Sequence, residues 1–383
     1  MAGTLPNLNW KELPKYPKIF FYLCAKKKIF ALYLISVLRK RILAITGKSI
    51  NIKHSHLNII QMKKESDGVY KPHFKDYISF FIGDIKICIK QLRYIHKLRF
   101  KRAKKRGVFY MVFEPFRGHP GLADRLKAII NTYNLAKSNG YDFKIYYTTP
   151  FKLSDYLTPN KDWECSIEEL EYSLQDTKFF REISWRERTK LKPNKQYHCY
   201  YYCGNTMPRI LPHTGYKWCD LFKELFTPST NLVNAYKELN IPPRTYISVH
   251  IRFVNALEQF ENTFFDNHLK EQSQRDALIQ RCKNGIRSII KENKETPIYV
   301  FSDSKVFLNS LGDLPVYTLD NSEIKHISST SGDSSTLKTF LDLYVMSQSQ
   351  TIYRFCAPEL YSISHYALLA ATIGDIPFYD LDV

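Results

Sequence analysis

Acidic residues are scarce at one end of this 383-residue chain. Residues 1–107 hold 5 Asp and Glu against 25 Lys and Arg, a net of +20, whereas the remaining 276 hold 32 against 31, a net of −1, so the whole of the net +19 comes from the first 107 residues. Long apolar runs are missing as well. None reaches the ~18–20 residues that span a bilayer, and the nearest candidate, 19–25 with 29–38, is split by Lys26-Lys27-Lys28. The opening MAGTLPNLNWKELPKYP lacks the early positive region and small-residue cleavage site of a signal peptide. No Asn-x-Ser/Thr sequon occurs, and 8 cysteines stand at wide spacings. Both argue against maturation in an oxidising, glycosylating lumen, and the expected setting is a reducing cytoplasm. With 14 glycines the chain holds no P-loop, no complete Gly-x-Gly-x-x-Gly and no nucleophile elbow. A metal-dependent transferase of the single-Rossmann type needs an Asp-x-Asp at a mid-chain strand end, and Asp380-Leu381-Asp382 lies at the terminus.

What is present points to a folded body behind a cationic arm. Apolar residues at 44% and aromatics at 15% supply ample core and exclude a disordered or fibrous chain. Residues 18–48 and 77–106 interleave aromatics and aliphatics with Lys and Arg and read as amphipathic helices, with Phe30, Leu34, Leu38 and Ile42 on one stripe. After Gly107 the pattern changes. VFYMVF at 108–113 is a buried-strand run, RGHPG at 117–121 a turn, and Leu122, Leu126, Ile129, Ile130 and Tyr133 mark a helix face. DFKIYY at 142–147 then completes a βαβ unit. The stretch 151–240 is less periodic, with a strand at QYHCYYY and a helix at 218–226. Beyond it, TYISVHI (245–251), PIYVF (297–301), VYTL (316–319), TIYRF (351–355) and PFY (377–379) read as strands. Helical patterns at about 275–292, 336–349 (Ser335 as N-cap) and 364–373 alternate with them. Such alternation means parallel sheets wrapped on both faces. The expected fold is α/β: two Rossmann-like domains facing a cleft, over 108–240 and 241–383, with 1–107 as a basic helical extension. Ligands in this class bind beyond the carboxyl ends of the strands.

That rule directs attention to His250 and Arg252, which end TYISVHIR and share a face by the period-2 alternation. Arg at such a place can grip phosphate oxygens in bidentate fashion, and a His beside it can donate to a hydroxyl or phosphate. The plain alternative is a satisfied His and a surface ion pair. Cys199-x3-Cys203 beside His198 suggests a metal pair, but no second pair stands at matching spacing.

VHIRFVNALE after a strand resembles the His-x-Arg motif of the fucosyltransferases that make α1,2-, α1,6- and protein O-linked fucose, including the nodulation fucosyltransferases. RGHPGLADRLKAI at 117–129 resembles their Gly-Leu-Gly-Asn/Asp-Arg-Leu stretch. FSDS at 301–304 and ELYSISHYALLAA at 359–371 resemble a later strand-end Asp and a Ser-rich helix start. Two departures stand out: Phe253-Val254-Asn255 follows His-x-Arg where many relatives have Arg/Gly-x-Asp, and Ala123 replaces a glycine. The resemblance covers about 108–383. It implies a B-type glycosyltransferase architecture and inverting transfer from a GDP-sugar, GDP-fucose foremost, to an oligosaccharide or lipid-linked glycan in surface-polysaccharide synthesis, with no metal and no further cofactor.

On that reading the site residues are as follows. Gly118 and Gly121 allow close backbone approach and positive φ. Asp124 and Arg125 lie at the N-terminus of a helix able to meet an anion, although Asp124 also suits plain first-turn dipole complement. Asp303 accepts from guanine or ribose, or caps a turn. Ser362 and Ser364 hold the diphosphate or cap the helix after them. Arg252 and His250 serve the breaking bond, and Glu258 or Glu261 is the general base, unless both are solvated loop carboxylates. The cationic extension, with apolar stripes under Lys and Arg, is expected to lie on the anionic cytoplasmic face of a membrane as a peripheral anchor. The competing class is a nucleic-acid-binding or scaffold protein using the same extension. Against it, the body is neutral and no basic recognition helix stands out, so no nucleic-acid partner is expected.

Overall fold

The computed structural model describes residues 99–113, 121–180, 191–200, 207–211, 214–258, 267–319 and 333–383. The chain divides into two units, Met1–Lys97 and Leu98–Val383, and the described residues belong to the second. The helix expected at 18–48 and most of that at 77–106 lie outside them.

Within Leu98–Val383 the order is β1 (Val108–Phe113), α1 (Leu122–Ser138), β2 (Asp142–Tyr147), β3 (Leu157–Pro159), β4 (Thr177–Phe180), β5 (Gln196–Cys199), α2 (Trp218–Leu225), β6 (Phe226–Pro228), α3 (Thr230–Glu238), β7 (Ile247–Ile251), α4 (Gln272–Glu292), β8 (Ile298–Ser302), α5 (Lys305–Asn309), α6 (Asp333–Ser347), β9 (Thr351–Cys356), α7 (Tyr366–Gly374) and β10 (Phe378–Asp382). Two four-stranded sheets result, β2-β1-β5-β4 and β10-β9-β7-β8, with every pairing parallel. This is the α/β architecture with two parallel sheets that the alternation of strand and helix patterns implies. Continuous apolar runs such as VFYMVF, buried at all six positions, suit strands covered on both faces.

Period 2 sorts the second sheet. Ile247, Val249 and Ile251 of β7 face Leu278, Cys282, Ile286 and Ile289 of α4 in one apolar core. The opposite face belongs to a larger core that runs from Met111, Leu126 and Ile129 to Tyr246, Leu343, Ile352 and Ala370, so the two sheets share packing. Phe151 and Tyr156 meet Phe340 of α6 edge-on and stacked, with centroids 5.5 and 4.6 Å apart. Gly374 ends α7 against α6, where a Cβ would lie 2.2 Å from the Ser347 carbonyl oxygen.

Several expectations need correction. VYTL at 316–319 is no strand; Tyr317 makes a single parallel bridge with Tyr299 and stacks on its ring. α6 begins at Asp333, so Ser335 lies inside it and is not its N-cap. The stretch 151–240 adds β4 and the antiparallel β3–β6 ribbon, elements of three or four residues that are too short to show a period. Residues 99–106 are not helical. Glu171 and Asp176 claim their backbone: Ala103 N–H donates to Asp176 Oδ2 at 3.0 Å and Lys104 N–H to Glu171 Oε2 at 2.6 Å. These carboxylates replace the i−4 carbonyls a helix would offer, and Ala103 is buried against the body.

Candidate functional site

The carboxyl end of the second sheet collects charge in a row. Parallel register sets Asp380 of β10 beside Arg354 of β9, and Arg354 beside His250 of β7. Arg354 is gripped in bidentate fashion by Asp380 at 2.7 and 2.8 Å and donates to the Ser364 carbonyl at 2.6 Å. The terminal Asp-x-Asp is thereby accounted for: its first carboxylate neutralises an arginine inside a sheet.

His250 is 4% exposed, and its Nδ1 has no hydrogen-bond partner among the described residues. Its ring lies 5.7 Å from that of Tyr366. Burial, with Arg252 and Arg354 nearby, pushes the imidazole down to about 3, so it is neutral at ordinary pH. A buried ring nitrogen left orphaned is costly in a folded chain and is the kind of exception that marks a ligand.

Arg252 follows at the strand end, and the loop after it is pinned at many points. Asp303, 6% exposed, accepts from Phe253 N–H and Val254 N–H at 2.8 Å each and pairs with Arg252 Nε at 3.3 Å. Burial raises the Asp303 carboxyl, while the Arg252 guanidinium and the two N–H groups work the other way. Asn267 donates to the Phe253 carbonyl at 2.6 Å and to that of Glu359 at 2.8 Å, and Tyr361 N–H holds the Arg252 carbonyl at 2.9 Å. Val254 has φ 57°, the left-handed region that a β-branched residue rarely enters. Strain of this kind persists only where surroundings over-determine it, and Asp303 does so here. The departure Phe253-Val254-Asn255 thus forms a rigid, carboxylate-stapled turn.

The remaining expected residues divide. Asp303 serves Arg252 and its loop with both oxygens. Glu258 Oε1 accepts from Ser304 Oγ at 2.8 Å and Val306 N–H at 3.2 Å, so it caps α5; Glu261 lies outside the described residues. Arg125 is 3% exposed and donates to Tyr147 Oη at 2.9 Å and the Thr149 carbonyl at 3.0 Å. Gly121 has φ −59°, open to any residue, so the expected positive φ is not used there; Gly118 lies outside the described residues. Ser362 Oγ closes a turn on Ala357 at 3.1 Å. Ser364 Oγ accepts from Tyr366 N–H only at 3.5 Å, and the N-cap residue of α7, His365, makes no side-chain cap. The first turn of α7 thus meets the row of His250 and Arg354 with its N–H groups weakly capped, an arrangement suited to an anion.

Asp124 pairs with Lys127 at 2.6 Å, and Lys127, fully buried, reaches His365 Nδ1 at 3.1 Å. Lys127, His365, Arg354 and Asn267 were not singled out from the sequence. Lysine among apolar helix neighbours carries a faint signal; the others depend on pairings far along the chain. The metal reading at Cys199-x3-Cys203 finds His198 occupied on both nitrogens, by Gln196 Oε1 at 2.7 Å and Tyr200 Oη at 3.4 Å, while Cys203 lies outside the described residues. Among the described residues, no three His, Cys, Asp or Glu side chains group as metal ligands.

No protein-family model and no curated protein sequence matches the chain. Solved structures do. Fucosyltransferase NodZ from Bradyrhizobium aligns at 13% identity over 69% of this chain and 92% of its own, with a TM-score of 0.46. NodZ α-1,6-fucosyltransferase soaked with GDP-fucose aligns at 13% over 70% and 93%, TM-score 0.44. POFUT1 in complex with GDP-fucose aligns at 10% over 73% and 99%, TM-score 0.37.

Proposed function

We propose that this chain is an inverting, metal-independent glycosyltransferase that takes a GDP-sugar, GDP-fucose foremost, and glycosylates an oligosaccharide or lipid-linked glycan. The observation that carries the reading is the carboxyl end of β7. Arg252 is held there by a buried carboxylate on a strained turn, beside an orphaned, neutral His250 and the weakly capped first turn of α7. A diphosphate suits all three: it adds negative charge beside Arg252 and at the helix terminus, and offers the imidazole a polar partner. As the glycosidic bond breaks, charge grows on the β-phosphate, and a preorganised guanidinium is worth about 3–4 kcal/mol in such a transition state. Inversion also needs a base for the acceptor hydroxyl. Glu258 caps α5, and Glu261 is the other candidate for the role of base.

Calorimetric titration of the full chain with GDP and GDP-fucose in the presence of a chelator tests the reading. Binding is expected, and Arg252→Ala should lower kcat/KM by about two orders of magnitude with the fold intact. Stabilisation by RNA or DNA alone, or near-wild-type turnover in Arg252→Ala, overturns it.

The cationic extension serves the same purpose in this proposal, placing the enzyme on the cytoplasmic membrane surface that holds a lipid-linked acceptor. Each basic residue near anionic lipid contributes about 1 kcal/mol. The full chain should co-sediment with phosphatidylserine vesicles and be released by high salt. Equal sedimentation with uncharged vesicles defeats the anchor.

A further inference from the structure

Lys127 is a cation without access to solvent, and the roles assigned above make no use of it. Its Nζ lies 2.6 Å from Asp124 Oδ1, on the same helix, and 3.1 Å from His365 Nδ1, contributed by the second sheet's half of the body. An ammonium group only donates. The contact with His365 therefore makes Nδ1 the acceptor, puts the single ring proton on Nε2 and leaves the imidazole neutral. The surrounding charges are consistent with this. Burial lowers the His365 pKa, Lys127 from α1 and Arg354 from β9 push the same way, and Asp124 from α1 opposes them. His365 is also the N-cap residue of α7, yet its ring does not cap that helix. Lys127 holds the ring instead.

We propose that Lys127 is a positioning residue that locks His365 as its Nε2–H tautomer, so that the ring adds one N–H donor to the α7 first turn where the donor's diphosphate binds. The inference rests on the donor reading above. Asp124 then has a definite part: it is the counter-charge that keeps the buried ammonium in place.

The test uses the full chain labelled with 15N-histidine, whose nitrogen shifts report tautomer and protonation. The resonances of His365, one of 11 histidines, are assigned by their loss in His365→Gln. In the wild type, Nδ1 is expected bare and Nε2 protonated well below the usual imidazole titration. Lys127→Met should mix the tautomers, raise the apparent pKa of His365 and weaken GDP binding about 10- to 100-fold. Lys127→Arg, which keeps a charged donor, should preserve the tautomer. His365→Gln, which keeps an amide N–H near the Nε2 position, should bind GDP within about threefold of wild type, and His365→Asn should match Lys127→Met. A protonated Nδ1 in the wild type overturns the proposal. So does Lys127→Met, or if it misfolds His365→Asn, with unchanged GDP affinity. A wrong tautomer with normal GDP binding counts against Lys127 alone; the expected tautomer without GDP binding removes the donor reading and the ligand assigned here.

Discussion

Each sheet carries a buried histidine on an inner strand, and the two differ in everything but burial. His198 on β5 is fully enclosed, with Gln196 and Tyr200 on its nitrogens and the rings of Tyr110, Tyr172 and Phe179 packed edge-on. His250 on β7 is as deeply placed, yet Nδ1 faces no partner among the described residues and two arginines stand close. A satisfied histidine contributes to a core. An orphaned one beside guanidinium groups and a helix terminus stores a vacancy in the hydrogen-bond pattern that a ligand can fill. Burial alone, which sequence periodicity predicts, does not separate the two.

The sharpest way to probe the contrast is to release the second site. Asp303→Ala removes the acceptor of two backbone N–H groups and the partner of Arg252, and should destabilise the chain by about 3–5 kcal/mol in urea unfolding. A loss below about 1 kcal/mol would show that Asn267 and Tyr361 suffice to hold the loop. Exchanging the histidines should then give opposite results. His198→Ala strands Gln196 and Tyr200 and should cost about 2–3 kcal/mol of stability with GDP affinity unchanged. His250→Ala should cost less stability and weaken GDP at least about tenfold. If both variants lose stability equally and neither changes GDP affinity, the comparison collapses.

Acid makes the next distinction. The unfolded chain protonates His250 near its ordinary 6.5, the native chain only at about 3, so between these values the unfolded state binds more protons. Stability therefore rises with pH across that window, and the native state should lose about 2 kcal/mol as pH falls from 7 to 5. Unfolding curves of His250→Asn should lack that share of the loss; an identical slope removes His250 as its source. The smallest effect belongs to Glu258→Gln, which weakens the α5 cap by about 0.5–1 kcal/mol. Turnover should be unchanged, and a large loss of kcat would return Glu258 to the role of base.

Much of this was legible before the structure. TYISVHI, VFYMVF and TIYRF are apolar enough to read as covered strands, and the helix stripes between them imply parallel sheets through simple periodicity. His250 and Arg252 could be placed at a strand end for the same reason. The roles of their neighbours could not. Glu258, Asp303, Arg125 and Ser362 looked like ligand-facing polar groups near motifs, and each is occupied by an internal partner 5 to 50 positions away. Gly121 looked like a glycine needed for its φ and has an ordinary one.

The sequence by itself determined the alternation of strands and helices, the side of β7 on which His250 falls, and the cationic character of the first 107 residues, because each is a local property of period or composition. Only the tertiary structure decided which polar groups are saturated and which remain open. Partner choice is a matter of distance between segments far apart in the chain, as with Lys127 and His365, 238 positions apart, and no local pattern encodes that meeting.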